Sequence, residues 1–192
     1  MLRSLYNWTL SLAAHPRALW ALAFVAFIES SVFPIPPDVL MVAMIIATPT
    51  RAFRIAAVAT VASVLGGLLG YAIGALAYEQ IGQPILASLG KADAMAEFNT
   101  RFNSLDFWPV LIAGLTPFPY KVITIMSGWT GLPLGTFIVT SIVARAGRFF
   151  LVAWLLHRFG APIREFIDRR LGLLTILFVV LLAGGFWAVR YM

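Results

Sequence analysis

The sequence predicts an all-α integral membrane protein built as an inverted repeat. Each repeat is a re-entrant helical hairpin followed by a transmembrane helix, and a final C-terminal transmembrane helix closes the chain. Three observations predict this. The 192 residues are 61% hydrophobic and only 11% charged, with a mean hydropathy of +0.91, whereas soluble domains are roughly half apolar and a quarter charged. Two apolar segments are broken by prolines, FPIPP and PFPYK. Each carries one charge just past its break. Superposing Pro34 on Pro117 sets Pro36 on Pro119 and Asp38 on Lys121.

The elements follow in order. Residues 1–17 place Leu2, Leu5, Tyr6, Trp8 and Leu12 at helical spacing. They read as an amphipathic helix lying at the membrane interface and ended by Pro16. No small-residue cleavage site precedes Glu29 and the prolines, so this is not a clear signal peptide. Hairpin 1 spans about 18–49. Its two arms are too short to cross comfortably, and Pro34, Pro36 and Pro37 remove amide donors between them. The carbonyls so freed must face protein or water, because lipid cannot satisfy them.

Residues 55–78 are long enough to cross. Gly66, Gly70 and Gly74 recur every fourth residue there and give a smooth face for close helix approach. A polar linker over 79–106 carries Lys91, Asp93, Glu97 and Arg101 and reads as a surface helix or loop. Hairpin 2, about 107–131, repeats the design with Pro117 and Pro119 at its break. A second crossing helix covers 134–157. The period is about 80 residues, and an internal repeat of this kind outweighs any single motif. Core residues 18–162 are followed by a basic loop and a last span within 163–192. Four arginines over Arg158–Arg170 mark the cytoplasmic side, with the N-terminus on the same side. The six tryptophans are expected to form an interfacial belt.

Composition also excludes chemistry. No cysteine is present, which removes disulfides, thiol catalysis and thiolate metal sites. The basic excess of +6 is mostly arginine, 12 against two lysines, without a long basic run. It suits anionic lipid and topology rather than nucleic acid. His15 and His157 sit in no recognisable catalytic constellation, and Ser63 and Ser127 lack a base. The chain is not expected to be an enzyme, and no metal or cofactor is expected.

Five charges lie inside apolar sequence: Glu29, Asp38, Lys121, Arg145 and Arg148. Each costs roughly 2.5–3.5 kcal/mol at bilayer depth unless paired or hydrated. One reading is a structural network that pins the hairpins, with Asp38 and Lys121 at its centre. The other is a polar cavity between the repeats, where Lys121, Arg145 and Arg148 bind phosphate and Glu29 and Asp38 balance them. Arg145 and Arg148 are i, i+3 and share one helix face, and arginine pairs suit phosphate. Glu29 reads either as a helix-end carboxylate or as a protonatable switch. Tyr71, beside the glycine stripe, reads as a donor to a local partner or to a head group.

Four features together resemble the DedA family, also called VTT-domain or SNARE-associated proteins, and its small YqaA-like bacterial branch. They are Glu29 with Pro34 and Pro36-Pro37-Asp38, the three-glycine helix with Tyr71, the run TPFPYK followed by Ser127-Gly128, and RAGRFF from Arg145. The resemblance covers roughly residues 20–162. It implies two re-entrant hairpins facing each other from opposite sides of a bacterial inner membrane. It also implies movement of lipids between leaflets, by flippases of undecaprenyl phosphate or translocases and scramblases of phospholipids, with proton coupling proposed for some. Glu29 matches the family's essential glutamate, and Asp38 the acid after the prolines. Lys121 stands where many members have arginine. Leu115 and Thr116 stand where many carry a further arginine, which leaves the lipid open. The expected partners are therefore membrane lipids and protons, with a homo-oligomer as an open question. The alternatives are a proton-coupled transporter of a small solute and a non-catalytic membrane assembly factor.

Overall fold

The computed structural model describes residues 17–32, 36–88, 92–116 and 118–160. The interfacial helix over 1–16, Pro34, Pro117, Lys91 and the closing span in 163–192 lie outside them. Every regular element among the described residues is helical. They are α1 (Ala18–Glu29), α2 (Pro37–Ala47), α3 (Ala52–Ala77), α4 (Gln83–Ser88), α5 (Ala92–Ser104), α6 (Trp108–Leu115), α7 (Tyr120–Trp129) and α8 (Leu134–Gly160). A 3₁₀ turn, Pro49–Arg51, leads into α3, and a π-helical turn, Tyr78–Gly82, joins α3 to α4.

Helix length separates two kinds of element. The helical run Pro49–Ser88 and helix α8 are both long and apolar enough to cross a membrane. At 1.5 Å per residue, the 26 residues of α3 span ~39 Å. The 12 residues of α1 and 11 of α2 reach only ~16–18 Å, about half of a ~30 Å hydrocarbon core. The α6 and α7 arms are shorter still, at 8 and 10 residues. Proline sets where α2 begins, since Pro37 occupies its first turn, where a missing amide hydrogen costs nothing.

Helices α3 and α8 run antiparallel. Phe53 at the start of α3 stacks on Phe150, with ring centroids 6.3 Å apart, and lies 5.5 Å from His157 near the end of α8. Tyr71, late in α3, packs 5.1 Å from Phe137 at the start of α8. Two apolar clusters sit at opposite ends of this pair. One joins α1 and α2 to the first half of α3 and the second half of α8, through Leu22, Met41, Ile45, Ile55 and Phe149. The other joins α6 and α7 to the second half of α3 and the first half of α8, through Val110, Tyr120, Phe137 and Leu68. Each broken hairpin therefore has its own end of the two long helices.

The glycine stripe allows backbone to meet backbone. A Cβ on Gly66 would strike the Phe27 carbonyl of α1, and one on Gly74 would strike the Ile125 carbonyl of α7. Gly70, between them, faces Thr124 of α7 and the Ser30 carbonyl. Gly128 answers from α7 against the Tyr71 carbonyl. One face of α3 thus receives both hairpins, a small-residue contact of the kind that drives helix association in lipid. Tyr71 donates to the Leu132 carbonyl at 2.6 Å, a local partner.

The tryptophans divide. Trp20, Trp108 and Trp154 present half or more of their surface outward. Trp129 instead packs edge-on to Tyr78 and fills the space left by Gly82 at the π-helical turn, which makes it a packing residue rather than part of a belt. Within the polar linker, α5 is an amphipathic helix that sets Phe98 beside Phe102, ring centroids 6.3 Å apart, and exposes Asp93, Glu97 and Arg101.

Candidate functional site

The hairpin tips meet halfway along α3. The Ser30 carbonyl at the end of α1 accepts from Thr124 Oγ1 of α7 at 3.0 Å. The Val32 carbonyl, two residues on, accepts from Lys121 Nζ at 3.2 Å. A backbone that proline has released from helical pairing is thus satisfied by the opposite hairpin, as a low-dielectric setting demands.

All five sequence-predicted charges converge here, but their partners differ from expectation. Asp38 does not pair with Lys121. Its two oxygens take a fork from Arg148, Nε at 3.2 Å and Nη2 at 2.8 Å. Arg148 Nη1 also donates to the Thr116 carbonyl just before the second break. Glu29 pairs with Arg145, Nη2 to Oε2, at 2.9 Å. The reason lies in helical period. The two acids flank the first break, and α8 runs past both with arginines three residues apart on one face.

The two pairs are not equivalent. Arg145 is enclosed, its side chain only 3% exposed, with its guanidinium carbon 4.7 Å from the Tyr120 ring centroid and 4.6 Å from that of Phe149. Its Nε donates to Ser63 Oγ at 2.5 Å. Such a cation between two rings gains from both π faces. The Asp38–Arg148 pair is more open, at 28% and 17%. Tyr120 is itself fixed by a 2.6 Å bond to Ser141.

Lys121 stands apart. It lies in the first turn of α7, whose N-cap Pro119 supplies no side-chain cap. Among the described residues, no carboxylate pairs with it. A helix N-terminus already carries about half a positive charge, so a lysine there adds like to like. Asp38 occupies the corresponding turn of α2, where a negative charge is favourable. The two breaks are therefore electrostatically opposite, one neutralised and one doubly positive.

Sequence reasoning missed Ser30, Ser63, Tyr120, Thr124 and Ser141, whose hydroxyls complete the site. The available signal was position: Ser63 sits one turn before Gly66 on α3, and Ser30 follows Glu29. Pro36 caps α2 and Pro37 begins it, both after the first break, and Pro119 precedes α7.

The site belongs to a helical membrane protein in which two ion pairs fasten the first broken hairpin to a long helix, and a hydrogen bond from the same helix reaches the second. The VTT domain family model matches residues 35–158, and the chain belongs to that family, also called DedA. An uncharacterized protein of Haemophilus influenzae is 36% identical over 169 residues, covering 86% of this chain and 88% of the relative. An uncharacterized protein of Histophilus somni is 35% identical over the same length and the same shares. No solved structure matches.

Proposed function

We propose that this protein moves a phosphate-bearing lipid, a phospholipid or a polyprenyl phosphate, between leaflets of the bacterial inner membrane. The observation that carries this reading is the charge balance at the meeting tips. Two carboxylates engage two arginines, and among the described residues Lys121, on the positive end of α7, meets a carbonyl and no carboxylate. A phosphate supplies the anion that this end lacks.

In this mechanism the head group enters between the tips while its tails stay in the bilayer. Lys121 and Arg148 take the phosphate. Arg148 holds Asp38 in a bidentate fork, the geometry that also fits phosphate, so the head group displaces one anion by another. The greater exposure of this pair favours it over Arg145 for the exchange. Arg145 acts as a fixed pillar, and Glu29 is the group whose protonation couples movement to the proton gradient. Short arms packed at opposite ends of α3 and α8 support hairpins that re-enter from opposite faces, with the N-terminus cytoplasmic. Binding sites between broken helices of inverted repeats recur in transporters.

The test uses reconstituted vesicles holding head-group-labelled lipid and external dithionite. Protein is expected to raise the quenched fraction above the outer-leaflet share for at least one phosphate-bearing lipid, and not for a labelled lipid without phosphate. An unchanged fraction across several phosphate-bearing classes rejects the reading.

A further inference from the structure

The hydroxyls around Glu29 form a closed hydrogen-bond loop that starts and ends on one guanidinium–carboxylate pair. A guanidinium can only donate, so Ser63 Oγ must accept from Arg145 Nε. Ser30 Oγ, 2.7 Å away, is an acceptor within reach of the single Ser63 hydrogen, and donation that way leaves the Ser30 hydrogen free for Glu29. The Ser30 hydrogen has two acceptors in reach, Glu29 Oε2 at 3.2 Å and the Ala26 carbonyl at 3.0 Å. Arg145 Nη2 closes the loop on the same Oε2 at 2.9 Å. Both routes out of the guanidinium, one direct and one through two serines, thus end on one carboxylate oxygen. Ser30 and Ser63 are almost wholly enclosed, at 0% exposure.

We propose that Ser63 and Ser30 are positioning residues that link proton uptake by Glu29 to its grip on Arg145. With Glu29 ionised, Ser30 points at the carboxylate and the loop is complete. With Glu29 protonated on Oε2, that hydrogen is accepted by Ser30 Oγ, which turns its own hydrogen to the Ala26 carbonyl, so neither the new carboxyl hydrogen nor a buried hydroxyl is stranded. The loop therefore has two states, each with its polar groups paired, which an unpaired buried group would forbid. Only the carboxyl gains a proton, and the serines reorient without transferring one. The charged and titratable groups around the pair are Arg145 and Arg148 from α8, Tyr120 from α7 and Asp38 from α2. Among the described residues, α3 contributes Ser63 and no charge at this level. The proposal rests on the reading of Glu29 as the coupling carboxylate.

The test compares Ser63→Thr with Ser63→Val. The two side chains have the same shape, so crowding is common to both and only the hydroxyl differs. In vesicles, Ser63→Thr keeps the hydroxyl, carries the cost of the added methyl alone, and is the reference against which Ser63→Val is read. Ser63→Val is expected to lose roughly tenfold, the usual worth of a hydrogen bond to a charged group, and to displace the midpoint of the rate-against-pH curve. A valine variant that matches threonine, or that scales the curve without moving its midpoint, overturns the proposal. The same pair is compared by unfolding in micelles, with and without Glu29→Leu. A threonine–valine gap that shrinks in the Glu29→Leu background, where no side-chain oxygen accepts from Ser30 or Arg145, supports the loop, and a gap of unchanged size overturns it. This second measurement needs no transport. If the wild-type protein moves no lipid, the lipid reading fails while the loop is still judged.

Discussion

Arg148 and Asp38 tie the second long helix to the first broken hairpin through two hydrogen bonds, at 2.8 and 3.2 Å. The same guanidinium reaches the Thr116 carbonyl at the other break. One side chain on α8 therefore holds both breaks, and removing the carboxylate leaves that cation to find another anion.

This partnership predicts the outcome of charge exchange. Asp38→Arg alone and Arg148→Asp alone each set like charges face to face. Each is expected to lower the unfolding free energy in micelles by about 1–3 kcal/mol, the scale of charged hydrogen bonds. The combined exchange recovers most of that loss. Exchanging Asp38 with Lys121 recovers none, because the two are not partners.

The enclosed pair behaves differently. Arg145→Met leaves Glu29 largely buried without its cation, and breaking such a pair costs about 3–5 kcal/mol. Glu29→Gln costs less, since the amide oxygen still accepts from Arg145 and Ser30. Chemical denaturation of the two variants checks the order.

Backbone contact along α3 makes a further prediction. Gly66→Ala and Gly74→Ala each drive a Cβ onto a carbonyl of a hairpin, and overpacking of this kind costs about 1–3 kcal/mol. Gly135→Ala meets nothing within 4 Å and is expected to leave stability nearly unchanged. Unfolding midpoints of the three variants decide it.

The proposal that the hairpins are re-entrant predicts which face each loop occupies. Cysteine placed at Thr50 is expected to be labelled from the cytoplasmic side, and cysteine at Ser104 from the outside. Fully spanning hairpins predict the reverse for both.

The proline breaks, the glycine stripe and the five charges were all legible, because each departs from apolar helix in a way a single residue reveals. Pairing was not. Repeat superposition set Asp38 opposite Lys121, but equivalent positions of the two sequence repeats lie on different hairpins and need not touch. What brings charges together is the path of α8, whose Arg145 and Arg148 pass Glu29 and Asp38 in turn. The serines were illegible for another reason. A serine in an apolar helix commonly bonds its own backbone, as Ser31 does to the Phe27 carbonyl at 3.0 Å. Nothing in the sequence separates it from Ser30 and Ser63, whose role depends on the guanidinium folded against them. The extent of α3 was nearly read, starting at Ala52 rather than residue 55, because the 3₁₀ turn from Pro49 nucleates it early.

The account turns on Lys121 as the cation left for a phosphate, and vesicle transport by its variants tests that most directly. Lys121→Arg is expected to move labelled phosphate-bearing lipid at a rate near wild type. Lys121→Ala is expected to stay folded, with no more than the loss of its one bond to the Val32 carbonyl in the unfolding midpoint, and to lose most transport, about tenfold or more. A folded Lys121→Ala protein that transports lipid at the wild-type rate would contradict the account.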